Sequence, residues 1–143
     1  MTTKMKYGLR LSTVRKLEDE LYDYKNYDNR IHLLREEIFN PWIPTDNNTG
    51  GEHKPSNTSI TEMRVTNYLT DIRIARIKEL SIAIERVFNT STQKEKDFIK
   101  HYYFDPRGRT YIQVCNDIFI GERTGHRIKA KVIKKLAEEL GEW

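Results

Sequence analysis

Apolar residues along this chain return every three or four positions far more often than every second one. Leu11, Val14, Leu17, Leu21 and Tyr24 keep that spacing, and Tyr27, Ile31, Leu34 and Ile38 continue it. Such spacing lays one apolar stripe along a helix, so this run reads as one long helix or as two with a break near Asn26. Pro41 and Pro44 in "NPWIPTD" end it, because proline removes a backbone donor. Val65, Leu69, Ile72, Ile77, Leu80, Ala83, Ile84 and Val87 mark a further long helix over about 60–88. Arg73 and Arg76 interrupt its apolar side, either pairing with acids of the first helix or facing a partner.

Helix starts are signalled by a Ser or Thr followed three residues later by Glu or Gln, the capping box. Ser59 with Glu62, Thr92 with Glu95 and Thr110 with Gln113 match it. The second opens a short helix with Phe98, Ile99, Tyr102 and Tyr103 on one face, stopped by "DPRGR". The third opens a short helix in which Tyr111, Val114, Cys115 and Ile118 share a face. A turn follows at Phe119–Gly121, then a basic helix from Glu122 to about Leu140. "TYIQVCNDIFI" is rich in β-branched residues, but its apolar spacing is helical rather than alternating, and no strand signal competes elsewhere.

The fold class expected is therefore all-α. Residues 1–91 form an N-terminal helical region, with long helices packed as a bundle and a loop at about 41–58. Residues 92–143 form a C-terminal helix-turn-helix. Gly, Asn, Pro and Ser crowd 45–58, which reads as a flexible connector or as a partner-binding loop anchored by Trp42.

Charge changes the picture because it is local. Residues 1–91 carry 14 Lys and Arg against 13 Asp and Glu, whereas Arg107 to Lys135 carries 8 against 2, a net of +6. A concentrated positive field is what a phosphate-binding face needs. On a helical wheel, Gly125, Ile128, Val132 and Leu136 fall on one side of the last helix. Arg123, Arg127, Lys131 and Lys134 fall on the other. The second helix of a helix-turn-helix enters the DNA major groove, where arginine grips guanine and lysine serves phosphates. Gly125 costs about 1 kcal/mol relative to alanine inside a helix. Its place on the inward side predicts a close crossing with the preceding helix, at the small residue Cys115.

The segment "YIQVCNDIFIGERTGHRIKAKVIKKL" resembles the promoter-reading region four of bacterial sigma factors, through its I-G-E-R-T turn, its I-K-A-K core and its K-K-L end. Two positions depart from that pattern: Gly121 stands where Ser or Thr usually caps the helix, and Gly125 where Ile or Val is usual. Over nearly its whole length the chain resembles the RinA family of phage transcriptional activators, related to ArpU-type regulators. That resemblance rests on "YGLRLSTVRKLEDELYDY", "PWIPTD", "GGE", "PSNTS", "VTNYL", "AIERV" and "LAEELGEW". It implies an activator of late phage genes, for packaging, structure and lysis, that binds promoter DNA and acts with host RNA polymerase. By position, Glu122, Arg123, His126 and Arg127 match sigma residues that face bases, and Lys131 and Lys134 match backbone-side positions. With Thr124 and Arg109 these form the candidate DNA-binding set.

Other function classes fare worse. The four histidines and the single Cys115 are scattered, so neither a metal site nor a disulfide framework is expected, and no cofactor is implied. Glu36/Glu37 and Glu138/Glu139 are adjacent in sequence and read as solvated helix faces rather than paired catalytic acids, so no enzyme is expected. No apolar run is long enough to span a membrane, and MTTKMKYG lacks the apolar core of a signal peptide. The expected location is the cytoplasm of the bacterial host. A nonspecific or packaging-related phage DNA-binding protein, or an RNA-polymerase-binding adaptor, are the alternatives. The first would lack sequence preference, and the second would tolerate loss of Arg123 and Arg127. Monomer and homodimer both stay open.

Overall fold

The computed structural model describes residues 4–39 and 57–143. Helices dominate, as expected. They are α1 (Leu11–Asp23), a 3-10 turn over Tyr24–Asn26, α2 (Tyr27–Phe39), α3 (Asn57–Asn89), α4 (Gln93–Ile99), α5 (Tyr111–Asp117) and α6 (Glu122–Leu140). α4 runs on into a π turn over Lys100–Phe104. The first apolar stripe thus forms two helices, broken at Asn26 by the 3-10 turn.

Two expectations need correction. Strands are present: β1 (Met5–Lys6) and β2 (Leu9–Arg10) pair antiparallel, Met5 opposite Arg10 and Lys6 opposite Leu9. Tyr7 and Gly8 between them both have positive φ, 55° and 77°, as the tight hairpin turn that matches strand twist requires. Strands of two residues are too short to display alternation, which is why the pattern concealed them. The second correction concerns Ser59. α3 begins at Asn57, so Ser59 lies inside the helix rather than at its start, and the loop expected to reach 58 is over by residue 57. Trp42 and the rest of that connector lie outside the described residues.

The other two caps form as predicted. Thr92 Oγ1 accepts from the Glu95 amide at 3.4 Å, and the Thr92 amide donates to Glu95 Oε2 at 3.0 Å. Thr110 and Gln113 repeat the arrangement at 3.3 and 3.1 Å. Each box satisfies amides that a helix start would otherwise leave without partners.

The chain divides into two compact units, one of Met1–Lys25 with Glu79–Trp143 and one of Asn26–Lys78. In the first, α1 packs against α6 and against the π turn. Its core is where apolar stripes meet: Val14 and Leu17 of α1, Phe98 of α4, and Ile133 and Leu136 of α6 are all fully buried. Cutting Phe98 back to alanine would cost about 3–5 kcal/mol. Beside it, Tyr103 donates to Glu18 Oε1 at 3.3 Å, and burial together with the Glu18 charge pushes its phenol well above the usual range. In the second unit Tyr27, Thr70, Ile74 and Ile77 are buried, and Thr70 satisfies its hydroxyl on the Thr66 carbonyl at 2.9 Å. No helix among the described residues is long and apolar enough to cross a membrane.

Candidate nucleic-acid interface

α5 ends in a tight turn whose amides fold back onto the helix. Ile120 N–H donates to Cys115 O at 3.0 Å and Phe119 N–H to Asn116 O at 3.3 Å, the Schellman arrangement. That arrangement needs one left-handed residue, usually glycine, and here it is Phe119 at φ 57°. The Phe119 ring is 91% exposed. Gly121 then heads α6 with no side-chain cap, leaving Glu122 in the first turn to complement the helix dipole. A second Schellman turn closes α6 at Gly141, φ 67°, with Glu142 N–H on Ala137 O at 2.8 Å.

The two helices cross at Gly125. A Cβ placed there would lie 2.8 Å from Cys115 Sγ and 3.0 Å from Tyr111 Cζ, and closer still to Tyr111 Oη. Cβ atoms do not come within 3.0 Å of such neighbours, so any side chain here would have to displace Tyr111 and Cys115. Cys115 is the predicted neighbour. Tyr111 is an additional one: its hydroxyl donates to the Glu122 carbonyl, pinning the first turn of α6. Burial, reinforced by Cys115, raises the Tyr111 phenol above its ordinary 10.0, which keeps this donor protonated. The Tyr111 ring also stacks on His126, centroids 4.6 Å apart and 24° between planes.

The inward residues of α6 are those the wheel selects: Gly125, Ile128, Val132 and Leu136 are buried, joined by Ile133 and Ala137. Outward, Glu122, Arg123, Thr124, His126, Arg127, Lys131 and Lys134 are exposed. Seven of the eight candidate residues are thus presented by one helix. The eighth, Arg109, is drawn away. It lies in the loop before α5, 23% exposed in its side chain, paired with Asp117 and 3.6 Å from Asp105 Oδ2. Hydrogen bonds from Arg107, then the nearby guanidinium charges, hold the Asp105 carboxyl down at about 2, so it is charged at every working pH.

Ion pairs sort the basic residues of α6. Lys129 Nζ sits 3.0 Å from Glu18 Oε1 of α1. Burial alone would lower its pKa, but the Glu18 hydrogen bond and charge outweigh that and raise it. Lys131 Nζ lies 2.8 Å from Glu95 Oε1, and Lys135 Nζ 3.8 Å from Glu95 Oε2. Glu95 is 5% exposed. Burial opposes its charge, yet Lys131 and the Thr92 amide overcome it and leave the carboxyl below its ordinary value. Arg123, Arg127 and Lys134 make no ion pair among the described residues. The +6 count of 107–135 therefore overstates the free field, because Glu18 and Glu95 from outside the segment neutralise part of it.

This basic, buttressed helix has a counterpart among known proteins. A family profile described as "Protein of unknown function (DUF722)" matches residues 14–138. The chain is 61% identical over 140 residues to the transcriptional activator rinA of Staphylococcus phage phi11, spanning 98% of this chain and 99% of that one. The chain belongs to the RinA family of phage transcriptional activators. No solved structure matches it. In this family member, Tyr111, Glu95 and Glu18 were not candidates from sequence, although each positions or neutralises a residue of α6. Glu95 carried a signal as the acid of a capping box. Glu18 gave none beyond lying on a helix, and Tyr111 gave only its place on the face it shares with Cys115.

Proposed function

We propose that the chain binds double-stranded promoter DNA sequence-specifically through α6 and activates late phage genes together with host RNA polymerase, in the cytoplasm of the bacterial host. Residues 92–143 act as the DNA-binding domain, with α1 as its buttress. The observation that carries this reading is the division of labour on α6. The helix is held by the Gly125 crossing on its inner face and by the Glu18 and Glu95 pairs, while Arg123, Arg127 and Lys134 stay exposed and make no ion pair among the described residues. Arg123 and Arg127 lie on one face, one turn apart, and are suited to base edges. Lys134 lies further along and suits phosphate. Glu122, Thr124 and His126 flank them in the first turns. Lys131 reaches phosphate only by sharing or leaving Glu95, and Arg109 supports the loop before α5.

The test is binding of the wild type and Arg123→Ala/Arg127→Ala to late-promoter and scrambled DNA over a range of salt. Wild-type preference for the promoter, lost in the double variant, is expected. Equal binding of both DNAs by both proteins would favour a nonspecific packaging role. Unimpaired activation by the double variant would favour a polymerase adaptor.

A further inference from the structure

Within the first compact unit, the end of α3, the 3-10 turn and the π turn enclose a groove of about 1040 Å³. Its floor is apolar and aromatic. Ile84 lies at the base, 1% exposed. Tyr24 stacks on Phe104 with centroids 4.8 Å apart, and Phe104 meets Phe88 at 6.1 Å. All three rings are half-buried and line the groove. A volume of this size stands at the upper end of those that hold ligands, about 300–1,000 Å³. Lys100 and Phe104 enter it from the two ends of the π turn, a winding that occurs mostly as single turns and often at functional sites.

Lysines stand over this floor. Lys25 Nζ lies 5.6 Å from the Phe104 centroid and Lys100 Nζ 5.5 Å from the Phe88 centroid. Lys96 adds an ammonium 5.6 Å from Phe88. A ring face attracts and orients an ammonium but leaves its charge unneutralised. None of the three makes an ion pair among the described residues, unlike Lys129, Lys131 and Lys135. An aromatic floor under such ammoniums complements a segment that carries acids beside large apolar side chains. Nucleic acid fits less well. Glu85 and Asp105 also line the groove, Glu85 accepting from Tyr24 Oη at 3.2 Å and Asp105 from Arg107 Nε at 3.1 Å. A phosphodiester chain is charged at every nucleotide and would run against both carboxylates, whereas a peptide can set its acids only where the lysines are. The groove contains none of the eight candidate DNA-binding residues, so filling it takes nothing from α6.

We propose that this groove docks an acidic, apolar-rich segment of the host RNA polymerase, with Lys25 and Lys100 pairing its carboxylates and Phe88 and Phe104 receiving its apolar side chains. The inference rests on the reading that the chain acts with that polymerase. Its test takes the full-length chain, purified host RNA polymerase and labelled late-promoter DNA, and measures the two bindings separately. The wild type should bind both. Lys25→Gln/Lys100→Gln should weaken polymerase binding about tenfold or more and leave promoter affinity unchanged. Its helical circular dichroism should match the wild type, since both lysines are exposed. Zero-length carbodiimide coupling of the wild-type mixture should join Lys25 or Lys100 to a carboxylate in an apolar-rich segment of a polymerase subunit. A wild type that does not bind polymerase would overturn the underlying reading and the proposal with it. Polymerase binding indifferent to the double variant would overturn the groove alone. Promoter affinity that falls as far as polymerase affinity would assign the lysines to DNA and overturn it as well.

Discussion

Lys129, Lys131 and Lys135 occupy the same helix as Arg123, Arg127 and Lys134, yet the two sets sit in different surroundings. The lysines face acids brought in by α1 and α4, and Glu95, which serves two of them, is buried. The second set makes no ion pair among the described residues. Removing one member of a buried pair leaves an uncompensated charge and is strongly destabilising, whereas a solvated charge contributes little to folding. One set should therefore act on stability and the other on DNA, although both contribute alike to a net charge.

The largest effect should come from removing the crossing on which both sets depend. Gly125→Leu forces a side chain into Tyr111 and Cys115, and should cost about 3 kcal/mol or more in urea unfolding and abolish promoter binding. An unchanged unfolding midpoint would show that the helices can part without harm. Glu95→Ala comes next. It removes a cap and the shared partner of two lysines, for a loss of about 2–3 kcal/mol, while promoter affinity should not fall. The pH dependence has a definite sign. The folded Glu95 carboxyl titrates below its ordinary 4.5, so its contribution is complete above that pH and is lost as pH falls through the folded value. Glu95→Gln should flatten the acid limb of the stability curve below pH 4.5, and an acid limb that keeps its slope would assign it to other carboxylates.

The opposite set should respond in the opposite way. Each of Arg123→Ala and Arg127→Ala should cost about 1–3 kcal/mol in binding promoter DNA. Lys134→Ala should lower the salt slope of log K by about 0.9. None of the three should move the melting temperature, and a coincident loss of stability would blur the distinction between the two sets. The smallest effect is a gain. Phe119 occupies a left-handed position that glycine fills without strain, so Phe119→Gly should stabilise the chain by about 1 kcal/mol in urea.

Much of this architecture is legible in the chain, for local reasons. The boundaries of α4 and α5 follow from Thr92 and Thr110, whose capping side chains act within three residues. The inward face of α6 follows from periodicity, and the Gly125–Cys115 approach from a glycine placed on an inward face. Ser59 misled because a capping box is a permissive signal: Asn57 starts the helix earlier, and the motif is then simply part of it. The hairpin escaped because two residues per strand carry no period.

By itself the sequence determined the helical class, the order of the helices, which side of α6 faces inward and where positive charge concentrates. All of these depend on residues within a few positions of one another. Only the tertiary structure decided which charges remain available. Glu18 meets Lys129 because α1 packs against α6, and Glu95 meets Lys131 and Lys135 because α4 does. Ion pairing depends on distance in space and on exclusion of water, and neither is encoded by position along the chain.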